Sequence, residues 1–151
     1  MIPAVELSPA ECLDLLSNRD VGRVAMATPV GPRIVPVNYT VEDGAVVFRT
    51  APYSELSTYG WNTELAFEVD SLDHETRRGW SVVALGRARL VEDVEEVAAI
   101  RAGGWEPRPW ADGSRNLYVK LVWRALTGRR VGDDSSQRPA RRPTAGSGAR
   151  G

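Results

Sequence analysis

The chain has 151 residues, 42% of them hydrophobic and 26% charged, with a net charge of −1 at pH 7. That composition excludes a wholly disordered protein, and no apolar run approaches the roughly 20 residues of a membrane-spanning helix. One cysteine, Cys12, excludes an internal disulfide, and one histidine, His74, excludes most transition-metal sites, which need several imidazoles or thiolates.

The first predicted element is a helix. Ser8, Pro9 and Glu11 supply a capping serine, a proline at the first helical position and a glutamate three residues after the cap. Cys12, Leu13 and Leu16 are placed on its buried face, and Asn18 to Asp20 end it. The period then becomes strand-like. Strands are expected over Val21–Ala27, Arg33–Val41 and Ala45–Thr50, the last two joined by a hairpin turn at Glu42-Asp43-Gly44. Pro36 inside the second strand has no amide hydrogen, so it demands an edge, a bulge or an unpaired position. A short helix ends near Tyr59 at Gly60, and a fourth strand covers Leu65–Val69. Asp73 to Arg78 reads as a charged loop. The fifth strand, Trp80–Val91, puts Val82, Ala84, Gly86, Ala88 and Leu90 on one face. These small residues point to tight packing or a close-approaching ligand. Asp93 and Glu96 read as a second capping box for a helix to Arg101. A loop with Trp105 and Trp110 follows, then a sixth strand over Asn116–Leu126.

Six strands and three short helices predict a mainly β domain over residues 1–132, closed into a small antiparallel barrel. Residues 133–151 are rich in Arg, Pro, Gly and Ser and are expected to be a disordered tail. This tail holds four arginines against two aspartates, so the body before it carries net −3. A mildly acidic body argues against nucleic acid as a partner. Met1 to Glu6 has neither the basic flank nor the apolar core of a signal peptide, and a cytoplasmic location is expected. His74 sits among charged residues and reads as solvated surface; Cys12 reads as a small core residue. No nucleophile constellation or glycine-rich phosphate loop is present, so no catalytic side chain and no metal site is assigned. Arg49, Thr50 and Ser54 suit a phosphate, and they equally fit a strand-end arginine followed by a helix cap. Trp80, Trp105 and Trp110 could stack a planar ring or pack in a core or dimer interface.

The order of segments resembles the flavin-binding split-barrel proteins, also called the pyridoxamine 5'-phosphate oxidase-like family. The resemblance runs from Leu7 to Val131. It is carried by Leu7–Cys12, Val21–Ala25, Gly31–Tyr39, Val46–Thr50, Ala66–Asp70, Gly79–Val83, Pro109-Trp110 and Thr127–Val131. It implies a six-stranded Greek-key split barrel that forms a homodimer, with flavin mononucleotide (FMN) in clefts between subunits. By that likeness Arg33, Val35, Pro36, Val37 and Asn38 lie along one edge of the ring system. Arg49, Thr50 and Ser54 hold the phosphate, and Trp80 and Ser81 line the ring. Trp110 and Arg115 approach from the other subunit.

Two departures bear on function. Many relatives carry Gly-Ser-Lys where this chain has Tyr53-Ser54-Glu55, which sets an anion in place of a phosphate-binding cation and restricts the turn. Either Glu55 points away and Arg49 suffices, or FMN binding is weakened or lost. The true oxidases also have a further C-terminal segment with basic substrate residues, and nothing comparable follows Val131, so that activity is not expected. The resemblance implies a flavin-dependent oxidoreductase acting on a small-molecule acceptor. Its alternatives are a deazaflavin-dependent reductase, a haem protein, for which His74 is a poor axial ligand, or a non-catalytic ligand-binding barrel.

Overall fold

The computed structural model describes residues 4–103, 106–108, 113 and 115–132. Trp105, Trp110 and the tail from residue 133 lie outside the described residues. The elements are β1 (Ala4–Glu6), α1 (Pro9–Ser17), β2 (Val21–Thr28), β3 (Gly31–Glu42), β4 (Ala45–Thr50), α2 (Glu55–Tyr59), β5 (Glu64–Asp73), β6 (Arg78–Leu90), α3 (Val94–Ala102) and β7 (Leu117–Val131). All strand pairs are antiparallel. The order is β1-β7-β4-β3-β2-β5-β6, and a further pairing of β7 with β6 closes six strands into a Greek-key barrel. β1 stands outside that ring, alongside the end of β7.

The residues explain the closure. At the β3–β4 hairpin, Asp43 and Gly44 both take positive φ, 43° and 77°, as the tight turn that matches strand twist requires. β4 reads Ala-Val-Val-Phe without alternation because both its faces are covered. Val46 and Phe48 face the barrel core, while Val47 joins Val91, Ile100 and Tyr118 in a second cluster on the α3 side. Inside the barrel, Val24, Phe67, Val82, Val119 and Leu121 are fully buried. Tyr39 meets the Phe67 ring edge-on at 4.7 Å and donates its hydroxyl to the Leu16 carbonyl at 2.5 Å. Burial pushes the pKa of that hydroxyl up. α1 plugs one end with Cys12, Leu15 and Leu16. Cys12 is a core residue as expected, and burial raises its thiol pKa.

Several details differ from the sequence reading. Leu13 is 41% exposed, and Leu15 takes its place on the buried face. The described residues form seven strands rather than the six expected. β1 is three exposed residues with no pattern to detect; it forms because the end of β7 offers an edge. β7 continues to Val131 because Thr127 to Val131, though not alternating, pair with β6. β5 and β6 extend toward each other, so the charged loop shrinks to a turn at His74–Arg77. The Asp73 carboxylate caps that turn by accepting the Glu75 and Thr76 amides at 2.9 and 3.1 Å. His74 is exposed there.

The second capping box is only half formed. Asp93 accepts the Glu96 amide at 2.9 Å. The Glu96 carboxylate instead receives Arg89 from β6 at 2.6 and 3.1 Å and Lys120 from β7 at 3.4 Å. These contacts clip α3 to the barrel wall, and the Arg89 hydrogen bonds hold the Glu96 carboxyl below its usual range. A depressed folded-state pKa contributes stability above the unfolded value and loses it as pH falls through the folded one. Arg89 is half exposed, so screening limits the effect. Glu96→Gln is therefore expected to cost about 0.5–1 kcal/mol at pH 7. The difference should close in urea unfolding curves below the ordinary carboxylate range.

Candidate functional site

The site begins at Pro36. From Gly31 to Asn38, β3 pairs with β2, and only Tyr39 to Glu42 pair with β4. The half that contains Pro36 thus has a strand on one side only, as a residue without an amide hydrogen requires. β4 continues past this point to Thr50, and the chain then turns into α2. Between the two strands opens a cleft of about 260 Å³. Val35, Pro36, Val37 and Asn38 line it from β3; Arg49 and Thr50 from β4; Ala51, Ser54, Glu55 and Leu56 from the α2 entry; and Arg115 from the approach to β7. Asn38 Nδ2 donates to the Asp20 carbonyl at 3.4 Å.

Two hydroxyls sit at the α2 end. Thr50 is 4% exposed, and its Oγ1 is 2.7 Å from Ser54 Oγ. Ser54 Oγ also accepts the Ser57 amide at 3.1 Å, which caps α2. Each hydroxyl has one proton, so whichever of the two donates, one proton is left for an outside acceptor. α2 has only five residues, and its dipole adds little.

Arg49 is held firmly. Its Nε donates to the Arg115 carbonyl at 2.9 Å and its Nη1 to the Pro107 carbonyl at 3.5 Å, with Glu106 Oε1 3.4 Å from Nη1. Its guanidinium lies 5.3 Å from the centre of the Tyr118 ring, opposite it in the β4–β7 register. Nη2 takes no part in these contacts. Arg49 therefore ties Glu106, Pro107 and Arg115 to the cleft wall while presenting charge to it. The Tyr118 hydroxyl donates to Glu106 and accepts from Arg101 Nε at 3.2 Å. Glu106, Arg101 and Tyr118 escaped the sequence reading. The one available signal was Tyr118, an aromatic residue on the polar parity of β7.

Glu55 is exposed and lines the cleft, but it is not unopposed: Arg33 Nε stands 3.4 Å from its Oε1. The pair places a cation beside the anion that replaces the expected lysine. Tyr53 takes the left-handed φ of 63° that a glycine would adopt freely, and its side chain is 99% exposed. That conformation costs a non-glycine residue about 1–2 kcal/mol, offset in part by the chain entropy glycine would lose. Tyr53→Gly is expected to raise unfolding stability by about 0.5–1 kcal/mol, read from the denaturant midpoint. A lower midpoint would mean that the ring packs in the folded protein.

Trp80 and Ser81 fall elsewhere. Trp80 is 5% exposed in the core, with the Arg19 guanidinium 5.4 Å from its ring centre, so it does not line this cleft. Ser81 points to the opposite face of β6 and lines a separate depression of about 470 Å³ with Leu7, Val83, Thr127 and Arg129. Alternation along β6 separates the two side chains. Arg115, expected from another subunit, lines the cleft of its own chain. Trp110 lies outside the described residues. No helix among the described residues is long and apolar enough to cross a membrane.

Comparison with known proteins agrees with this architecture. Residues 8–130 match the family model for pyridoxamine 5'-phosphate oxidase. An uncharacterized protein of Mycobacterium tuberculosis is 35% identical over 87% of this chain and 88% of its own length. The solved structure of an FAD binding protein from Mycobacterium smegmatis superposes with a TM-score of 0.70 at 32% identity, covering 84% of this chain and 98% of that one. A conserved protein of unknown function from Corynebacterium diphtheriae gives a TM-score of 0.70 at 31% identity over 86% and 99% of the two chains. The chain belongs to the pyridoxamine 5'-phosphate oxidase-like family of flavin-binding split β-barrels.

Proposed function

We propose that the cleft binds a flavin by its phosphate end and that the protein is a flavin-dependent oxidoreductase acting on a small-molecule acceptor. The observation that carries this reading is the meeting of Arg49, Thr50, Ser54 and Arg115 with the β3 segment Val35–Asn38 around one cleft. Two guanidinium groups, a hydroxyl proton without a fixed acceptor and an apolar strand edge suit a phosphate joined to a planar ring. The phosphate donors here suit the mononucleotide part shared by FMN and FAD. When bound, the flavin supplies the redox chemistry, accepting and passing on a hydride. The chain's own residues bind and orient it. Arg49 and the Thr50–Ser54 pair hold the phosphate, Val35 to Val37 shield one edge from water, and Asn38 offers an amide.

We also place a second copy of the chain against the outer face of the barrel. In the register, Ala25, Ala66, Leu85 and Ala125 form one apolar row across β2, β5, β6 and β7. All four are half-buried, and beside them lies the ion pair of Arg23 and Glu68 at 3.2 Å. An apolar centre with a charged rim is the composition of a protein interface.

Glu55 favours a second reading, a deazaflavin whose longer tail keeps its phosphate away from the carboxylate, or a ligand-binding barrel without redox activity. The Arg33 contact at 3.4 Å offsets that charge and favours the flavin. Titration of the purified apo protein with FMN, followed by quenching of flavin fluorescence, tests the choice. Binding in the micromolar range or tighter by the natural protein is expected, and Glu55→Lys should strengthen it. Binding that appears only in Glu55→Lys, or in neither, overturns the oxidoreductase reading. Sedimentation equilibrium on the same samples should show a dimer, and a monomer removes the second copy.

A further inference from the structure

We propose that Glu106 is a built-in rival of the ligand phosphate for Arg49, and that the Tyr118 hydroxyl, backed by Arg101, limits how strongly it competes. The proposal deepens the phosphate reading of the cleft and rests on it. Arg49 lines the cleft; Glu106 is not among the lining residues and meets the site through that guanidinium. Three groups share Glu106 Oε1. The Tyr118 hydroxyl donates to it in the shortest contact of the three. Arg49 Nη1 stands 3.4 Å away and Arg101 Nε 4.0 Å away. Arg101 Nε also donates to the Tyr118 oxygen at 3.2 Å, and a hydroxyl that accepts from a cation is a stronger donor in turn.

Tyr118 is 1% exposed and stands opposite Arg49 in the β4–β7 register, so its hydroxyl is a fixed tether. The two guanidiniums lie 5.3 and 5.6 Å from the centre of its ring. A charge-assisted hydrogen bond between arginine and carboxylate spans about 2.7–2.9 Å and is often bidentate. At 3.4 Å, Glu106 and Arg49 attract as charges without that close pairing. The tether thus keeps Glu106 beside Arg49 but off the geometry that would occupy it. Arg49 Nε and Nη1 already serve the Arg115 and Pro107 carbonyls, so the ligand is left with Nη2 and the charge of the group. Whatever share of that charge Glu106 offsets, the phosphate loses. The two side chains are 20% and 31% exposed, so water screens the pair only in part.

The test titrates FMN, riboflavin and inorganic phosphate separately into the natural protein, Glu106→Gln, Tyr118→Phe and the double variant. Phosphate binding is read from the rise of the thermal midpoint at constant ionic strength. Glu106→Gln keeps the shape and removes the charge. It is expected to tighten FMN and phosphate binding by about two- to fivefold, the scale of a partly exposed ion pair. Riboflavin, which has no phosphate, should bind as before. Tyr118→Phe keeps the ring and removes the tether, and should weaken FMN and phosphate binding by a similar factor. In the double variant no rival is left to release, so Tyr118→Phe should have no further effect. Weaker phosphate binding in both single variants would make Glu106 a support for Arg49 and overturn the proposal. Equal changes for FMN and riboflavin, or no change in Glu106→Gln, overturn it too. If Tyr118→Phe does not fold, Glu106→Gln alone decides. If the natural protein binds phosphate but neither flavin, the flavin reading fails and the phosphate titrations still decide the rivalry. Binding of neither FMN nor phosphate rejects both.

Discussion

Gly86→Ala is expected to lower the stability of the fold by about 3 kcal/mol, more than a surface substitution by several-fold. A Cβ on Gly86 would stand 2.0 Å from the Val122 carbonyl oxygen and 2.7 Å from Trp123 Cα. Both are backbone atoms of β7, so no side chain can swing aside. The contact falls where the β6–β7 register shifts after Leu85, the pairing that closes the ring. Relief requires the two strands to part, which sacrifices ladder hydrogen bonds worth about 1 kcal/mol each on top of the overpacking. The thermal midpoint should fall by on the order of 10 °C in a chain of this length. Gly44→Ala makes a sharp control. Gly44 has open space around the Cβ position but a φ of 77°, so its replacement costs only about 1–2 kcal/mol of backbone strain. If both variants unfold at the same denaturant concentration, β7 does not approach β6 this closely.

Arg49→Ala is expected to weaken flavin binding by about 1.5–3 kcal/mol, the scale of a hydrogen bond to a charged group. The same side chain, only 20% exposed, also anchors the carbonyls of Arg115 and Pro107 and faces Glu106. Its loss should therefore cost some stability as well, and binding must be measured below the unfolding transition. Arg49→Lys should restore only part of the affinity, because a single ammonium cannot span the contacts that the planar fork divides among three partners. Flavin affinity unchanged in Arg49→Ala would place the phosphate elsewhere and leave Arg49 as a clamp on the segment before β7.

Much of the fold was legible because its signals are local. The Ser8 capping box forms as read, with Glu11 accepting the Ser8 amide at 2.8 Å. The Asp43-Gly44 turn and the alternation of β5 and β6 also carry their own evidence. β1 and the last residues of β7 were not legible, because their pairing is set by what lies beside them and not by their own pattern. The face of α1 was misjudged at Leu13 because a nine-residue helix gives the period few positions to register. Most of the cleft residues were named, but by family likeness; spacing alone left Arg49, Thr50 and Ser54 open between a phosphate site and a cap. The Arg33–Glu55 and Arg49–Glu106 contacts join residues 22 and 57 positions apart, which no spacing rule reaches. Pro36 was the one local clue to the cleft. It announced an unpaired stretch, and the cleft is what that stretch leaves open.

The way the ring closes also governs how fast it can form. β4 pairs with β7 across 67 positions at Thr50 and Leu117, and across 77 at Ala45 and Val122. Bringing such distant segments together costs loop-closure entropy before any contact offsets it, so the chain belongs among the slow β-folders, in milliseconds to seconds. β2, β3 and β4 can pair early as a meander, and β5 can join β6 through their short turn. Until β7 docks, the outer edges of β4 and β6 stay open to strands of other chains. Yield on refolding should therefore fall with protein concentration, and variants that loosen the β6–β7 joint should aggregate during folding before they lose the native state.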